Sequence, residues 1–248
     1  MSPDSPTSLD AVAGAPAGPR AAAPVLVGCS HGTDDPDGRA AVRSILTGVA
    51  AYRPELDVRE AFVDVQEPEV ADVVSHALDS DASGAVVVPL LLSVGFHVKV
   101  DIAAAVDQPG ATAAAPLGPD LRLVDILVDR LETAGLAPDD SVVLAAAGST
   151  DPAAALAVES VAAGLADRLD QPVTIGYGAG AEPRVPAAVA AARADAPPGG
   201  RVVVASYLLA PGYFYDRVME AGADVVAAPL APDERLVQIV LDRYDAAT

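Results

Sequence analysis

Two of the three histidines in this chain are spaced so that they can share one site. His31 and His97 each follow an apolar run typical of a buried strand, and Asp64 follows a third such run. Neutral imidazole binds divalent iron, cobalt, nickel or zinc, and it also accepts a proton near neutral pH. We therefore expect His31, His97 and Asp64 to form a catalytic site that holds a metal ion and takes up protons.

The elements that must position these side chains follow from the apolar pattern. Helical spacing of apolar residues alternates with short apolar runs, and this alternation predicts parallel strands joined by helices. Ligands bind beyond the carboxyl ends of parallel strands, where all three candidate side chains would lie. The predicted strands are 24–29, 58–63, 85–92 and 111–115, and the predicted helices are 41–49, 69–78, 98–106 and 121–131.

The second half of the chain repeats the first. The segment AAPLGPD at 114–120 reappears as AAPLAPD at 227–233, an offset of 113. GTDDP at 32–36 matches GSTDP at 148–152, and VVV at 86–88 matches VVV at 202–204, both at an offset of 116. We interpret the chain as two homologous α/β domains, preceded by a disordered tail. The predicted boundaries are tail 1–23, first domain 24–134, linker 135–140 and second domain 141–248.

The second copy lacks the candidate polar groups. His31 aligns with Ala147, Asp64 with Ala179, and His97 with Phe214 if one residue is inserted before Gly212. Both copies would need these groups if they served only the fold. We therefore expect a working site in the first half and a supporting wall in the second.

Further candidates lie in the same loops. Ser30, Ser93 and Gly95 are predicted to bind substrate, although serines beside glycines are commonly turn formers. Other residues are interpreted structurally: His76 as a solvated helix residue, Cys29 as a buried thiol, and Asp34, Asp35 and Asp37 as turn and helix-start residues.

Composition excludes several function classes. The net charge of −20 argues against binding to nucleic acid or to an anionic membrane surface. The longest apolar stretch, at 85–96, is too short to span a bilayer, which needs about 20 residues. A single cysteine excludes a disulfide framework and fits a reducing cytoplasm. The phosphate-loop motif is absent from the sequence, and no dinucleotide-binding G-x-G-x-x-G motif follows the first predicted strand.

Three motifs together resemble the sirohydrochlorin chelatase family. They are the strand followed by HGT at 31–33, AFVD followed by EP within 61–68, and VPLLL, GFH and DI within 88–102. The resemblance implies two duplicated three-layer α/β/α lobes with parallel sheets and a cleft between the lobes. It also implies a cytoplasmic enzyme that inserts ferrous iron or cobalt into sirohydrochlorin, for siroheme or cobalamin biosynthesis.

The resemblance further assigns roles to residues. His31 and His97 would bind the metal, which is a substrate, and no organic cofactor would be needed. Asp64 stands where the family often has glutamate, and Thr33-Asp34 stands where Ser-Arg is common. The duplication, in turn, suggests that one chain completes the cleft, so a monomer would suffice, and a dimer is an alternative.

Two other functions stay open from the sequence. One is a non-catalytic carrier of metal or tetrapyrrole on the same scaffold, and the other is an unrelated two-lobed binding protein with incidental histidines. The many carboxylates of sirohydrochlorin call for local positive charge in this acidic chain. Lys99 is the first candidate, and Arg39, Arg43 and Arg217 are weaker ones.

Overall fold

The computed structural model describes residues 23–95 and 97–248, which form two four-stranded parallel sheets flanked by helices. This confirms the predicted fold class. The first sheet has the order β2-β1-β3-β4 and the second the order β6-β5-β7-β8. The strands are β1 (Val25–Ser30), β2 (Val58–Phe62), β3 (Ala85–Pro89), β4 (Ala111–Ala113), β5 (Ser141–Ala146), β6 (Val173–Tyr177), β7 (Val202–Tyr207) and β8 (Val225–Val226).

The helices occupy equivalent places in the two halves. Aspartates at equivalent positions cap four of them, Asp35 and Asp151 in one pair and Asp120 and Asp233 in the other, each accepting a backbone N–H of the first turn. A π-helical turn (Val98–Ile102) runs into α3. The helices are α1 (Pro36–Tyr52), α2 (Val70–Leu78), α3 (Ala103–Ala105), α4 (Leu121–Thr133), α5 (Pro152–Leu169), α6 (Val185–Asp195), α7 (Tyr213–Met219) and α8 (Glu234–Asp245).

Strand β3 is shorter than the predicted range 85–92. Its neighbour β1 ends at Ser30, and the last paired residues are Cys29 and Pro89. Leu90 still donates its N–H to the carbonyl of Cys29, after which the strand has no partner on that side. Residues 90–92 therefore leave the sheet, and their apolar side chains both pack against the core and line a cleft.

The third strands of the two halves, β3 and β7, align at an offset that differs from the predicted one. Val25 pairs with Ala85, whereas its counterpart Ser141 pairs with Val202. The third strands therefore match at an offset of 117, and the alignment of VVV at 86–88 with VVV at 202–204 is wrong by one residue. The extra residue lies before β7, so Gly95 matches Gly212 without an insertion there.

One core joins the two halves. The inner faces of both sheets pack with α1, α4, α5 and α8 into a single buried cluster that includes Leu26, Leu123, Leu144 and Ile239. Separate clusters fill the outer face of each sheet, against α2 and α3 in the first half and α6 and α7 in the second. Apolar cover on both faces is what near-continuous apolar parallel strands require. The two sheets are thereby held in one fixed relation.

The repeated PLxPD segment forms a reciprocal contact between the halves. Arg130 on α4 donates to the carbonyls of Pro229, Leu230 and Pro232. Its counterpart Arg243 on α8 donates to the carbonyls of Pro116 and Leu117, at 2.9 and 3.2 Å. The two contacts relate the halves as a pseudo-twofold axis would. They explain why this segment recurs in both copies together with the matching pair Arg130 and Arg243.

The segment between the halves is held by Asp140. Its buried carboxylate accepts hydrogen bonds from the backbone N–H of Ala137 and from the N–H and guanidinium of Arg201, which begins the approach to β7. The division of the chain at 135–140 stays a proposal. Of the predicted tail at 1–23, residues 1–22 lie outside the described residues. No helix in the described ranges is both long and apolar enough to cross a membrane.

Acid should weaken this contact. The Arg201 guanidinium lowers the pKa of Asp140 to about 2, against about 3.9 for an unfolded aspartate. A lowered folded-state pKa stabilises the fold fully above the unfolded value and loses that effect as the pH falls through the folded value. The free energy of unfolding of wild type should therefore exceed that of Asp140→Asn at pH 7, and the gap should shrink between about pH 4 and pH 2.

Urea denaturation across this pH range measures the gap. Asp139→Asn is the matched control, because Asp139 is the exposed neighbour. If the difference in unfolding free energy between wild type and Asp140→Asn stays constant down to pH 2, the pKa of Asp140 is not lowered by its contact with Arg201.

Candidate active site

A cleft of about 960 Å³ opens at the carboxyl ends of the strands and is lined by both halves. This is where parallel sheets bind ligands. The loops after β1 and β3 form one side, and the loops after β5 and β7, with the start of α7, form the other. His31 and His97 both line it, as the sequence predicts for their strand ends.

The two imidazoles lie side by side. The ring centroids of His31 and His97 are 4.7 Å apart, and the rings are perpendicular. The His31 side chain is 45% exposed and that of His97 is 31% exposed, so solvent and ligands reach both. Residues 66 apart in sequence thus form one pair of potential metal ligands on the same side of the cleft.

Asp64 lies beside His31. Its Oδ2 is 3.9 Å from Nε2 of His31, and its Oδ1 accepts the backbone N–H of Val65 at 2.8 Å. Val65 has a φ of +46°, a left-handed conformation that costs a β-branched residue about 1–2 kcal/mol. Gln66 holds this loop, because its Oε1 accepts the N–H of Thr33 at 2.9 Å. The strained turn therefore presents the carboxylate next to the imidazole.

A glycine brings the His31 loop against the Asp64 loop. Gly32 has a φ of +90°, and a Cβ there would lie 2.9 Å from the carbonyl oxygen of Asp64. Its counterpart Gly148 has a φ of +87° and would meet the carbonyl of Ala179 in the same way. The second half therefore keeps the backbone of this corner while lacking its polar side chains.

The partner of His97 was not predicted from the sequence. Nδ1 of His97 lies 2.7 Å from Oδ2 of Asp101, which stands four residues later on the π-helical turn. The spacing of four residues was a usable signal, because such residues are neighbours on one helical face.

The ligand count is small. In the part of the chain that the structure describes, no group of three or more His, Cys, Asp or Glu side chains is placed to hold a metal ion. The imidazoles of His31 and His97 thus offer two nitrogen ligands, with Asp64 close to one of them. Two ligands leave most coordination positions of a divalent ion to water or to a substrate.

The predicted substrate-binding residues separate into two groups. Ser30, Ser93 and Gly95 line the cleft beside the histidines, and Ser30 is buried. Lys99 does not line the cleft, because its ammonium forms an ion pair with Asp151 at the cap of α5. Whether any of these four residues contacts substrate stays a prediction.

The opposite wall is apolar and aromatic. Ala147 and Phe214, the counterparts of His31 and His97, both line the cleft. Tyr213 stands beside Phe214, with ring centroids 5.5 Å apart, and 70% of Tyr213 is exposed. The Arg217 guanidinium lies 5.6 Å from the Tyr213 ring centroid, on which it stacks as a cation on an aromatic face. This side offers surface for a large flat ligand and no imidazole.

Charge around the cleft is mostly negative. Among the described lining residues, Arg39 is the one guanidinium, and it donates to the carbonyl of Thr33 and to Asp34. Arg43 pairs with Glu60, at 3.0 Å between Nη2 and Oε2. The lining carboxylates are Asp34, Asp35, Glu60 and Asp216.

Two residues interpreted as structural are found as expected. Cys29 is fully buried, and burial together with the charge of Asp101 raises the pKa of its thiol to about 12. A thiol of that pKa is neither a nucleophile nor a metal ligand near neutral pH. His76 is exposed on α2.

A model of the CbiX family matches the chain over residues 25–134 and again over 141–247. The two matches fall on the two halves of the fold.

Several curated proteins are similar in sequence. The sirohydrochlorin cobaltochelatase of Methanopyrus kandleri is 30% identical over 137 residues, 44% of this chain and 94% of that protein. That of Sulfolobus acidocaldarius is 35% identical over 81 residues, 31% of this chain and 66% of that protein. The sirohydrochlorin ferrochelatase of Priestia megaterium is 31% identical over 101 residues, 37% of this chain and 38% of that protein. The chain therefore spans less than two thirds of the last two relatives.

Solved structures show the same fold. SirB from Bacillus subtilis with Fe³⁺ has a TM-score of 0.76 and 20% identity, covering 90% of this chain and 94% of that chain. The sirohydrochlorin chelatase SirB from Bacillus subtilis subspecies spizizenii in complex with cobalt has a TM-score of 0.73 and 20% identity over the same shares.

Proposed function

The chain belongs to the CbiX family, and on that premise we propose that it is a sirohydrochlorin chelatase. It would insert a divalent metal ion into the tetrapyrrole sirohydrochlorin, the substrate that the curated relatives' names give. The observation that carries the proposal is the pair of imidazoles, His31 and His97, 4.7 Å apart in a cleft of about 960 Å³. A cleft of that volume accommodates a large ligand.

The chemistry required is an exchange of protons for metal. Two pyrrole N–H protons leave the macrocycle as two metal–nitrogen bonds form, so net oxidation does not occur and no organic cofactor is needed. His31 and His97 present the metal substrate to one face of the macrocycle. The released protons pass to imidazole and to Asp64, whose carboxylate lies 3.9 Å from His31 Nε2. Asp64 is one methylene shorter than glutamate, and the Val65 turn brings it within this distance.

Ferrous iron and cobalt are the proposed metals, for siroheme or cobalamin biosynthesis. Both are supported by names among the relatives, one a ferrochelatase and others cobaltochelatases. Imidazole accepts either ion, so the ligand set does not choose between them. We propose the cytoplasm as the compartment. We also propose that a single chain is sufficient for activity, because both walls of the cleft come from one chain.

Binding of the macrocycle is proposed to use the aromatic wall as well as hydrogen-bond donors. Ser30 and Ser93 line the cleft near the imidazoles, and Arg39, which also lines it and pairs with Asp34, is proposed to bind a carboxylate of the substrate. Lys99 contacts substrate only if its ion pair with Asp151 opens.

Replacing Tyr213 with alanine is expected to raise KM for the tetrapyrrole about 10-fold and to leave kcat within about twofold. A stacked aromatic face is worth about 1.5 kcal/mol, which corresponds to that factor. Steady-state insertion kinetics measures both constants. Met219→Ala is the matched control, since Met219 is an exposed apolar residue of the same helix outside the cleft lining. Equal KM values for the two variants would contradict a role of Tyr213 in binding.

A metal-insertion assay tests the proposed function. Purified protein is mixed with sirohydrochlorin and with ferrous, cobaltous or nickel ion, and the tetrapyrrole absorption spectrum is followed. We expect the spectrum to change faster than in the protein-free reaction for iron or cobalt. A protein that binds metal and tetrapyrrole but leaves the insertion rate at background would be a carrier, and the proposal would be wrong.

A further inference from the structure

We propose that Asp101 is a positioning residue for His97, which fixes the orientation and tautomer of this imidazole for metal capture. The inference rests on the proposed function, because it concerns the same metal-presenting pair. The hydrogen bond between Nδ1 of His97 and Oδ2 of Asp101, at 2.7 Å, is the observation that carries it.

The chemistry of this contact determines the tautomer. An ionised carboxylate is an acceptor only, so Nδ1 of His97 carries the proton and donates it to Asp101. Coordination by this ring is then assigned to Nε2. A carboxylate behind a metal-binding imidazole also orients the ring and makes it a stronger ligand, and loss of such a partner typically costs 10- to 100-fold in metal affinity.

The surroundings show that Asp101 is itself held in place. The next residue, Ile102, is fully buried in the outer core of the first sheet, which anchors the helical turn. Asp101 is 33% exposed and lies close enough to Cys29 to contribute to its raised pKa. Lys99, two residues away on the turn, pairs with Asp151 and not with Asp101.

The two imidazoles are therefore held differently. Nδ1 of His31 is 3.4 Å from the carbonyl of Gly32, and its Nε2 is 3.9 Å from Asp64. His97 has a short hydrogen bond to a carboxylate, whereas the contacts of His31 with Gly32 and Asp64 are longer. We infer that His97 is the fixed ligand of the pair. Removal of Asp101 should therefore act on metal affinity more than on binding of the tetrapyrrole.

Binding of Co²⁺ to the protein without tetrapyrrole tests the inference by titration calorimetry. Asp101→Ala is expected to weaken Co²⁺ binding 10- to 100-fold. Asp101→Asn should weaken it by less, because the carboxamide oxygen still accepts from Nδ1 of His97. Asp107→Ala, an exposed aspartate just after the same short helix, should bind as wild type does. KM for the tetrapyrrole should be unchanged in all three variants.

A second measurement distinguishes positioning from a merely structural role. Nitrogen-15 NMR of the histidine side chains should show His97 with its proton on Nδ1 in wild type and in Asp101→Asn, and with the proton shifted to Nε2 in Asp101→Ala. The inference is overturned if Asp101→Ala keeps the Nδ1–H tautomer, or if it binds Co²⁺ as tightly as wild type. Wild-type protein that binds no Co²⁺ would overturn the proposed function, whereas the tautomer measurement does not depend on that outcome.

Discussion

Replacing His97 with alanine is expected to lower kcat/KM for metal insertion about 1000-fold, and replacing His31 should have a similar effect. Each substitution removes one of the two nitrogen ligands that the cleft offers and one of the groups that takes up a pyrrole proton. The remaining imidazole binds the ion through a single nitrogen and does not hold it in a defined position. The rate of spectral change of sirohydrochlorin with Co²⁺ or Fe²⁺ measures this effect.

The third histidine supplies the matched control. His76 is exposed on α2, outside the residues that line the cleft. His76→Ala should insert metal at the wild-type rate, and melting temperatures should show that all three variants are folded. If His31→Ala and His97→Ala both retain more than about a tenth of the wild-type rate while folded, the imidazoles are not the metal-presenting groups.

The second large effect concerns stability. Replacing Arg243 with alanine is expected to lower the free energy of unfolding by about 3 kcal/mol. The substitution removes donors from the carbonyls of Pro116 and Leu117 and one partner from the carboxylate of Asp120, at the boundary of the two halves. Arg130→Ala should have an effect of similar size, because this residue makes the equivalent contacts on the other side. Urea denaturation measures both.

An exposed ion pair between the two halves is the control for the Arg243 and Arg130 variants. Arg168 on α5 pairs with Asp125 on α4 across the same boundary, and both side chains are substantially exposed. Arg168→Ala should therefore cost less than about 1 kcal/mol. In the double variant Arg130→Ala/Arg243→Ala, the losses of unfolding free energy should be nearly additive, since the two arginines share no hydrogen-bond partner. Equal losses of unfolding free energy in Arg168→Ala and Arg243→Ala would contradict the claim that the contacts of Arg243 with the repeated PLxPD segment stabilise the boundary between the halves.

The family and the fold class were accessible from the sequence, and both are confirmed. The duplication was visible because the PLxPD segment recurs, and the structure supplies the reason: Arg130 and Arg243 each bind that segment of the other half. Strands at 25–30 and 141–146 are buried on both faces, so their apolar runs were continuous. The domain boundaries and the roles of the site residues stay proposals.

The errors have physical causes. The range 85–92 was predicted as one strand because it is apolar throughout, but apolar residues line a cleft as readily as they fill a sheet. The one-residue slip at β7 arose because runs of valine carry no register of their own. Only the pairing of Ser141 with Val202 defines that register.

The site was only partly predictable for similar reasons. His31, Asp64 and His97, which lie close together in the structure, were proposed as candidates because polar residues after apolar strands stand out. Asp101 is one of 35 Asp and Glu residues in a chain with net charge −20, so its contact with His97 was not singled out. The ion pair of Lys99 with Asp151 joins the two halves, and no local pattern reports a contact of that kind.

The central claim is that His31 and His97 together hold the metal substrate, and X-ray absorption of the Co²⁺-loaded protein tests it most directly. Multiple scattering from imidazole rings counts the histidine ligands of the bound ion. We expect two in wild type and in His76→Ala, and one in His31→Ala and in His97→Ala. A histidine count that is the same in wild type and in both of these last variants would contradict the account.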